Sequence, residues 1–212
     1  MKRILLFVLF CLLGFGITEG VMYVQHQQVQ KRTAERAKTE GFSLERAPSN
    51  ALQGKIVSLS GTVSWQSRIA TQPAQIKEPR TIQQGEELRT GTNGSVSVQI
   101  MDGPTIILLP NSHVNFIQTL PTSIVITQDQ GTVTYTASKS SLSVDGLSLL
   151  TAMTDGKMTI SVDQDQKTVI TTVSEGTTTE AYNDANNTSS TTMVSAGNTF
   201  LFDDAAAAGS IQ

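Results

Sequence analysis

The 212-residue chain is poor in cysteine, histidine and charged side chains. It has one cysteine, Cys11, and two histidines, His26 and His113. A single cysteine can form no intrachain disulfide and no thiolate cluster, and two isolated histidines do not make a zinc ligand set. The formal net charge is −3, whereas binding to a phosphate backbone needs a basic surface. The composition therefore argues against metal centres and against nucleic acid as a partner.

The scarcity of charge also bears on secondary structure. Charged residues make up 16% of the chain and aromatic residues 5%, so Thr, Ser, Gln and Asn must form most of the polar surface. Threonine is β-branched and favours extended backbone, whereas surface helices favour Glu, Lys, Arg and Ala. The composition therefore favours strands that expose one face.

Residues 1–24 combine a basic start with one long apolar run. Lys2 and Arg3 precede ILLFVLFCLLGFGI, and the apolar character resumes in VMYV after Thr18-Glu19-Gly20. This pattern is typical of an export signal, which is either cleaved as a signal peptide or kept as a membrane helix of about 20 residues. We favour an uncleaved anchor that contacts the membrane through residues 4–24. In both cases the rest of the chain is expected outside the cytoplasm, periplasmic or extracellular.

Residues 25–53 are predicted to form a stalk and a linker. Residues 25–40 contain no Pro or Gly and are polar on every side, which is typical of a short, solvated helical spacer. Pro48-Ser49-Asn50 indicates a linker that runs to residue 53. Near the other end, residues 183–193 are interpreted as a polar loop. Residues 203–212 are interpreted as a C-terminal tail, either frayed or a single helical turn.

Residues 54–202 alternate apolar and polar side chains over many short segments. The segments SVSVQI, KMTISV and TVITTV show this period of two, and Asp-Gly turns such as Asp102-Gly103 and Asp155-Gly156 separate them. The segments SIVIT and GTVTYTA read as two further strands. No long amphipathic helical pattern interrupts the series. The sequence therefore predicts a mainly β domain of many short strands, in a β-sandwich or in a β-helix-like (solenoid) wrap.

Ser112 and His113 are the one pair of residues that suggests nucleophilic chemistry. Neighbours on a strand point to opposite faces, so they cannot easily act as nucleophile and base, and no Gly-x-Ser-x-Gly elbow is present. We interpret Pro110-Asn111-Ser112 as a turn that leads into a strand. Asp163-Gln164-Asp165 is interpreted as a solvated hairpin turn. No catalytic residue, metal ligand or cofactor-binding residue is therefore predicted.

A series of short motifs nevertheless runs through residues 54–202 in a fixed order. It comprises a glycine before a short strand, a Thr-Gly pair at the end of that strand, Asp-Gly, Pro-Asn-Ser, a later glycine and a Glu-Gly pair. The residues are Gly85, Thr90, Gly91, Asp102, Gly103, Pro110, Asn111, Ser112, Gly131, Glu175 and Gly176. In this order and spacing, the motifs resemble the FecR domain of bacterial envelope proteins.

The resemblance implies a domain without enzymatic activity or cofactor. It implies an envelope β domain that serves protein–protein interaction, sensing or scaffolding, with another envelope protein as partner. FecR-type regulators carry a cytoplasmic anti-sigma segment before their membrane helix, whereas only Met1 to Arg3 precede the apolar run here, so we expect no such segment.

Two alternatives to the FecR-like role stay open at this point. A glycan- or surface-binding module would show an exposed aromatic face around Trp65 or Tyr135. A hydrolase would bring His113 and an acid together in one pocket.

Overall fold

A computed structural model describes residues 46–212, so the predicted membrane segment and most of the predicted stalk and linker lie outside the described residues. Between residues 46 and 212 the chain forms strands, turns and bends and no helix. That part accordingly holds no helix that could cross a membrane. The prediction of a mainly β domain is confirmed.

The strands follow one another with short turns. Their bounds are β1 Gly54–Ser60, β2 Val63–Gln66, β3 Ala74–Ile76, β4 Thr81–Ile82, β5 Glu87–Thr90, β6 Ser95–Ile100, β7 Thr105–Leu108, β8 His113–Leu120, β9 Ser123–Ala137, β10 Leu142–Gly146, β11 Leu149–Met153, β12 Gly156–Asp163, β13 Thr168–Asn183, β14 Ser189–Ser195, β15 Thr199–Asp203 and β16 Ala208–Ile211.

The strands form two sheets that share the long strands β9 and β13. The first sheet has the order β4-β1-β6-β7-β9-β12-β13-β15-β16. The second has the order β3-β2-β5-β8-β9-β10-β11-β13-β14. Within residues 46–212 the pairing of β9 with β10 is parallel and the other strand pairings are antiparallel. This pattern differs from that of a β-helix, whose coils pair in parallel.

The core lies between the inner faces of the two sheets. Along β6 every second side chain is buried, from Val96 to Ile100, and the pattern recurs on most strands. Phe116 from the second sheet and Phe200 from the first belong to one continuous cluster of buried apolar residues. Burying such a side chain contributes about 1.5–3 kcal/mol relative to leaving it exposed. The alternation of apolar and polar residues in the sequence therefore results from the packing of both sheets into one shared core.

The segments SIVIT and GTVTYTA do not form separate strands, because β9 runs through both. Residues before Gly131 pair in the second sheet, and residues from Gly131 onward pair in the first. In β13 the same change of sheet occurs at Gly176. Both glycines have a positive φ, +84° and +77°, a backbone conformation that residues other than glycine rarely adopt. The glycines bend each long strand from one sheet into the other.

Two expectations near the C-terminus are wrong. Residues 183–193 are not a loop throughout, since they contain the end of β13, a short turn and the first part of β14. Residues 203–212 are neither frayed nor helical, because β16 pairs with β15 from Phe200↔Ile211 to Asp203↔Ala208. Both segments consist mostly of small polar residues and alanines, so the strands are not visible in the sequence. Pairing to a neighbouring strand determines the conformation of these residues more than their own propensity does.

Candidate interaction site

The motif residues around Ser112 join three strands that are distant in sequence. The Thr90 hydroxyl donates to the carbonyl of Leu109 at 2.6 Å and accepts from the amide of Ser112 at 2.9 Å. The Ser112 hydroxyl donates to the carbonyl of Thr132 at 2.9 Å and accepts from its amide at 3.0 Å. We call Thr90, Ser112 and Thr132 the Ser112 junction. It connects the end of β5, the turn before β8 and the middle of β9.

Gly131 lies directly against this junction. A Cβ at this position would approach the carbonyl oxygen of Asn111 to 2.3 Å and the Cα of Ser112 to 2.6 Å. Asn111 itself has a φ of +56°, and its amide donates to the carbonyl of Gly91 at 3.1 Å. Five predicted motif residues, Thr90, Gly91, Asn111, Ser112 and Gly131, therefore meet at one place, where they shape the backbone.

The remaining motif residues lie in other turns and crossings. Asp102 and Gly103 form the turn between β6 and β7, where the Gly103 amide donates to the carbonyl of Ile100 at 3.0 Å. Pro110 precedes Asn111 in the turn between β7 and β8. The other three lie beside strands or within them, as follows: Gly85 precedes β5, and Glu175 and Gly176 lie in β13 where it changes sheet.

His113 holds two carboxylates together on the outer face of the second sheet. Its Nε2 lies 3.0 Å from Glu87 Oε2, and its Nδ1 lies 2.9 Å from Asp129 Oδ2. Arg89 adds a bond of 2.8 Å to the same Glu87 oxygen. We call Glu87, Arg89, His113 and Asp129 the His113 cluster. No local pattern in the sequence indicates this cluster, because its members come from β5, β8 and β9.

The charges of the His113 cluster act on its carboxyl groups. Partial burial alone would raise the pKa of Glu87, but hydrogen bonds from Arg89 and His113 and their positive charges outweigh it and leave that pKa below its usual value. Nearby on β10, partial burial raises the pKa of Asp145, and the negative charge of Asp129 adds to that rise. The cluster thus favours ionised Glu87.

The hydrolase alternative requires His113 to act as a base toward a hydroxyl. An acid and His113 do meet, but both ring nitrogens of His113 lie against carboxylates. The neighbouring Ser112 is buried, and its hydroxyl both donates to and accepts from the backbone of Thr132. Neither ring nitrogen is thus placed to take a proton from Ser112, so the two residues do not form a nucleophile and base pair.

The glycan-binding alternative requires an exposed aromatic face. Tyr135 is fully buried, and its hydroxyl donates to Gln128 Oε1 at 3.0 Å. The Arg80 guanidinium lies 3.4 Å from the centre of the Trp65 ring, which packs partly buried against the core. Sugars stack on free aromatic faces, so neither of these two rings offers the platform that this alternative needs.

The edges of the sheets differ in length and chemistry. Three of the strands that end the two sheets are short, since β4, β3 and β16 have two, three and four residues. β14 has seven residues, SSTTMVS, and pairs on one side with β13 without a bulge. Natural edge strands usually carry charges, prolines or bulges that prevent pairing with other chains. β14 has none of these and exposes Met193 by 71%.

Behind this edge lies a buried carboxyl group that the sequence did not single out. Glu180 on β13 is fully buried opposite Thr192 of β14. It accepts hydrogen bonds from the hydroxyl of Thr151 at 2.5 Å and from that of Thr178 at 2.7 Å. Burial raises the pKa of Glu180, although the two hydroxyl donors act in the opposite direction. Its position between Thr178 and Tyr182, on the inner face, was visible only in the alternation along β13.

Comparison with known proteins gives a likeness of fold. No family model and no curated protein matches the sequence. Two crystal structures from Parabacteroides distasonis, each provisionally described as an anti-sigma factor, superpose with a TM-score of 0.52 at 9% and 8% sequence identity. Each match covers 59% of this chain and 58% of the other. The chain thus spans little more than half the length of these proteins, and at such identity the likeness is to their fold alone.

Proposed function

We propose that this chain is a non-catalytic, FecR-like protein of the bacterial cell envelope, tethered to a membrane by residues 4–24. Its β domain would lie outside the cytoplasm and act in sensing or scaffolding by contact with another protein. The fold likeness to proteins described as anti-sigma factors supports a regulatory role. The hydrogen bonds that occupy Ser112 and His113 also favour a role without catalysis.

The observation that carries this proposal is the open edge of β14. A strand with free backbone donors and acceptors can accept an extended segment of another protein, which adds to the sheet. β14 is uncharged and seven residues long, whereas a typical edge strand has charges, prolines or bulges that prevent pairing with another chain. A surface of this kind fits a protein partner better than a small ligand, because it is an edge and not a concave pocket.

Photocrosslinking in intact cells tests the proposal. A photoreactive amino acid at position 191, in the middle of β14, is compared with one at position 107, on the exposed face of β7. The full chain is then recovered from the membrane fraction, and its adducts are identified by mass spectrometry. We expect the chain in that fraction, with a specific protein adduct at position 191 and none at position 107.

Two results would overturn the proposal. One is recovery of the chain in the cytosolic fraction, which would contradict the tether. The other is the absence of any protein adduct at position 191, together with binding of the purified chain to a glycan array. That combination would favour the glycan-binding alternative despite the burial of Tyr135 and the covered ring of Trp65.

A further inference from the structure

The backbone of β14 has its free hydrogen-bonding groups at alternate residues. The amide of Asp184 donates to the carbonyl of Thr188 at one end of the β13–β14 ladder, and Ala196 donates to Gly176 at the other. In an antiparallel ladder the bonded pairs recur every second residue. Ser190, Thr192 and Val194 are therefore bonded to β13. The amides and carbonyls of the residues between them point away from the sheet: Ser189, Thr191, Met193 and Ser195.

These outward groups match a second copy of the same strand. If two β14 strands run antiparallel about a twofold axis at Thr192, Thr191 of one copy faces Met193 of the other, and Ser189 faces Ser195. Thr192 is the midpoint of β14, so this register pairs all seven residues. The two central pairs alone would add about four backbone hydrogen bonds. No other register uses the outward positions as fully.

The side chains of β14 are also compatible with this pairing. Met193 is 71% exposed, and in the paired form each Met193 would lie beside the Thr191 of the other copy. The strand carries no charge, so no like charges meet across the twofold axis. The outward neighbours on β13, Thr177, Thr179 and Ala181, are uncharged as well.

We infer that β14 is the site at which two copies of this chain join edge to edge, so that their second sheets become one. This inference deepens the proposed function and rests on it, because it names the protein that β14 contacts. A closed twofold contact also explains why an unprotected edge is tolerated, since pairing hides it in both copies. The other outer strands, β3, β4 and β16, are too short to offer an equal register.

A disulfide placed at the twofold axis tests the inference directly. In the full chain in its membrane, Cys11→Ala removes the natural cysteine, and Thr192→Cys puts a new one opposite its own symmetry mate. In a non-bonded antiparallel pair the Cα atoms are about 4.5 Å apart, which a disulfide of about 4.4–6.8 Å can span. Ser190→Cys is the matched control, because its own mate would lie about 13 Å away at 3.3 Å per residue.

We expect at least about tenfold more disulfide-linked dimer from Thr192→Cys than from Ser190→Cys after mild oxidation. Adding Met193→Lys should lower the Thr192→Cys dimer about tenfold, because a charge at an edge prevents pairing. Met101→Lys changes another exposed methionine, 56% exposed in the turn after β6, and should leave the dimer unchanged.

The outcomes separate this inference from the proposed function. Equal and low crosslinking of Thr192→Cys and Ser190→Cys would overturn the inference. If the photoreactive residue at position 191 then captures a different protein, the proposed function stands and the second copy is excluded. If position 191 captures no protein at all, both fail. A dimer that Met193→Lys does not weaken would also contradict pairing through β14.

Discussion

Replacing Ser112 by alanine should destabilise the fold through the backbone of β9. The Ser112 hydroxyl accepts from the Thr132 amide at 3.0 Å and donates to the Thr132 carbonyl at 2.9 Å. That carbonyl also accepts from the amide of Leu109, the residue that follows β7. Because the amide and carbonyl of a strand residue point to the same side, the Thr132 amide faces Ser112 and not β12. Ser112→Ala therefore leaves this amide without its partner.

The magnitude follows from the two lost bonds. A buried donor left unsatisfied costs about 1–3 kcal/mol, and a second hydrogen bond contributes about 0.5–1.5 kcal/mol. The carbonyl keeps its bond from Leu109, so the second loss falls at the low end. We expect the free energy of unfolding to fall by about 2–3 kcal/mol. For a domain of this size that lowers Tm by about 4–12 °C.

Thermal unfolding of the purified full chain, followed by the circular dichroism of the strands, measures this effect. Ser174→Ala is the matched control, since Ser174 is exposed on β13 and should change the free energy of unfolding by less than about 0.5 kcal/mol. A loss below that same limit for Ser112→Ala would refute the reasoning, because it would mean that the Thr132 amide does not depend on the hydroxyl.

Three further substitutions probe other parts of the fold by the same unfolding assay. Gly131→Ala should destabilise more than Gly197→Ala: both glycines have a positive φ, but a Cβ at Gly131 would meet Asn111 at 2.3 Å and one at Gly197 meets nothing within 4 Å, so equal losses would contradict the steric argument. Glu180→Gln should stabilise the fold at pH 7 and have little effect near pH 4. Because the pKa of Glu180 is raised above its ordinary value of 4.5, protonated Glu180 stabilises the natural chain below that value, and this stability is lost as pH rises. A difference in the free energy of unfolding that does not depend on pH would refute this. Glu87→Gln should have the opposite pH profile, because the pKa of Glu87 is lowered. Ionised Glu87 stabilises the natural chain by up to about 1 kcal/mol above the ordinary pKa, and this contribution is lost in acid. A larger difference in the free energy of unfolding between the two chains in acid than at neutral pH would contradict it.

The alternation of apolar and polar residues predicted strands such as β6, β12 and β13, because that signal comes from burial on one face. β6 shows it clearly, with buried residues at every second position, whereas β7 has three consecutive apolar residues, Ile106 to Leu108. The Asp102-Gly103 turn between them was equally visible, because glycine and aspartate suit tight turns. Local patterns of this kind depend only on neighbours in sequence, and a single sequence contains them.

The crossing points and the polar clusters could not be predicted in the same way. Gly131 was interpreted as the start of a strand, because a glycine in a turn and a glycine at a bend within a strand look the same in a sequence. The His113 cluster combines residues 87, 113 and 129, and their proximity depends on the pairing of β5 with β8 and of β8 with β9. Such pairings are non-local, so neither composition nor periodicity reveals them.

The same distinction decides what the FecR resemblance can say about partners. The motif residues at the Ser112 junction, and Gly131 and Gly176 at the crossings, all shape the backbone inside the sheets. A sequence that keeps them keeps the route of the chain, whatever its edges bind. β14 contains none of the motif residues, and its Ser and Thr side chains looked like a loop. The motif residues therefore do not indicate which partner the edge of β14 binds. Binding has to be tested at positions 191–193 and not at the motif itself.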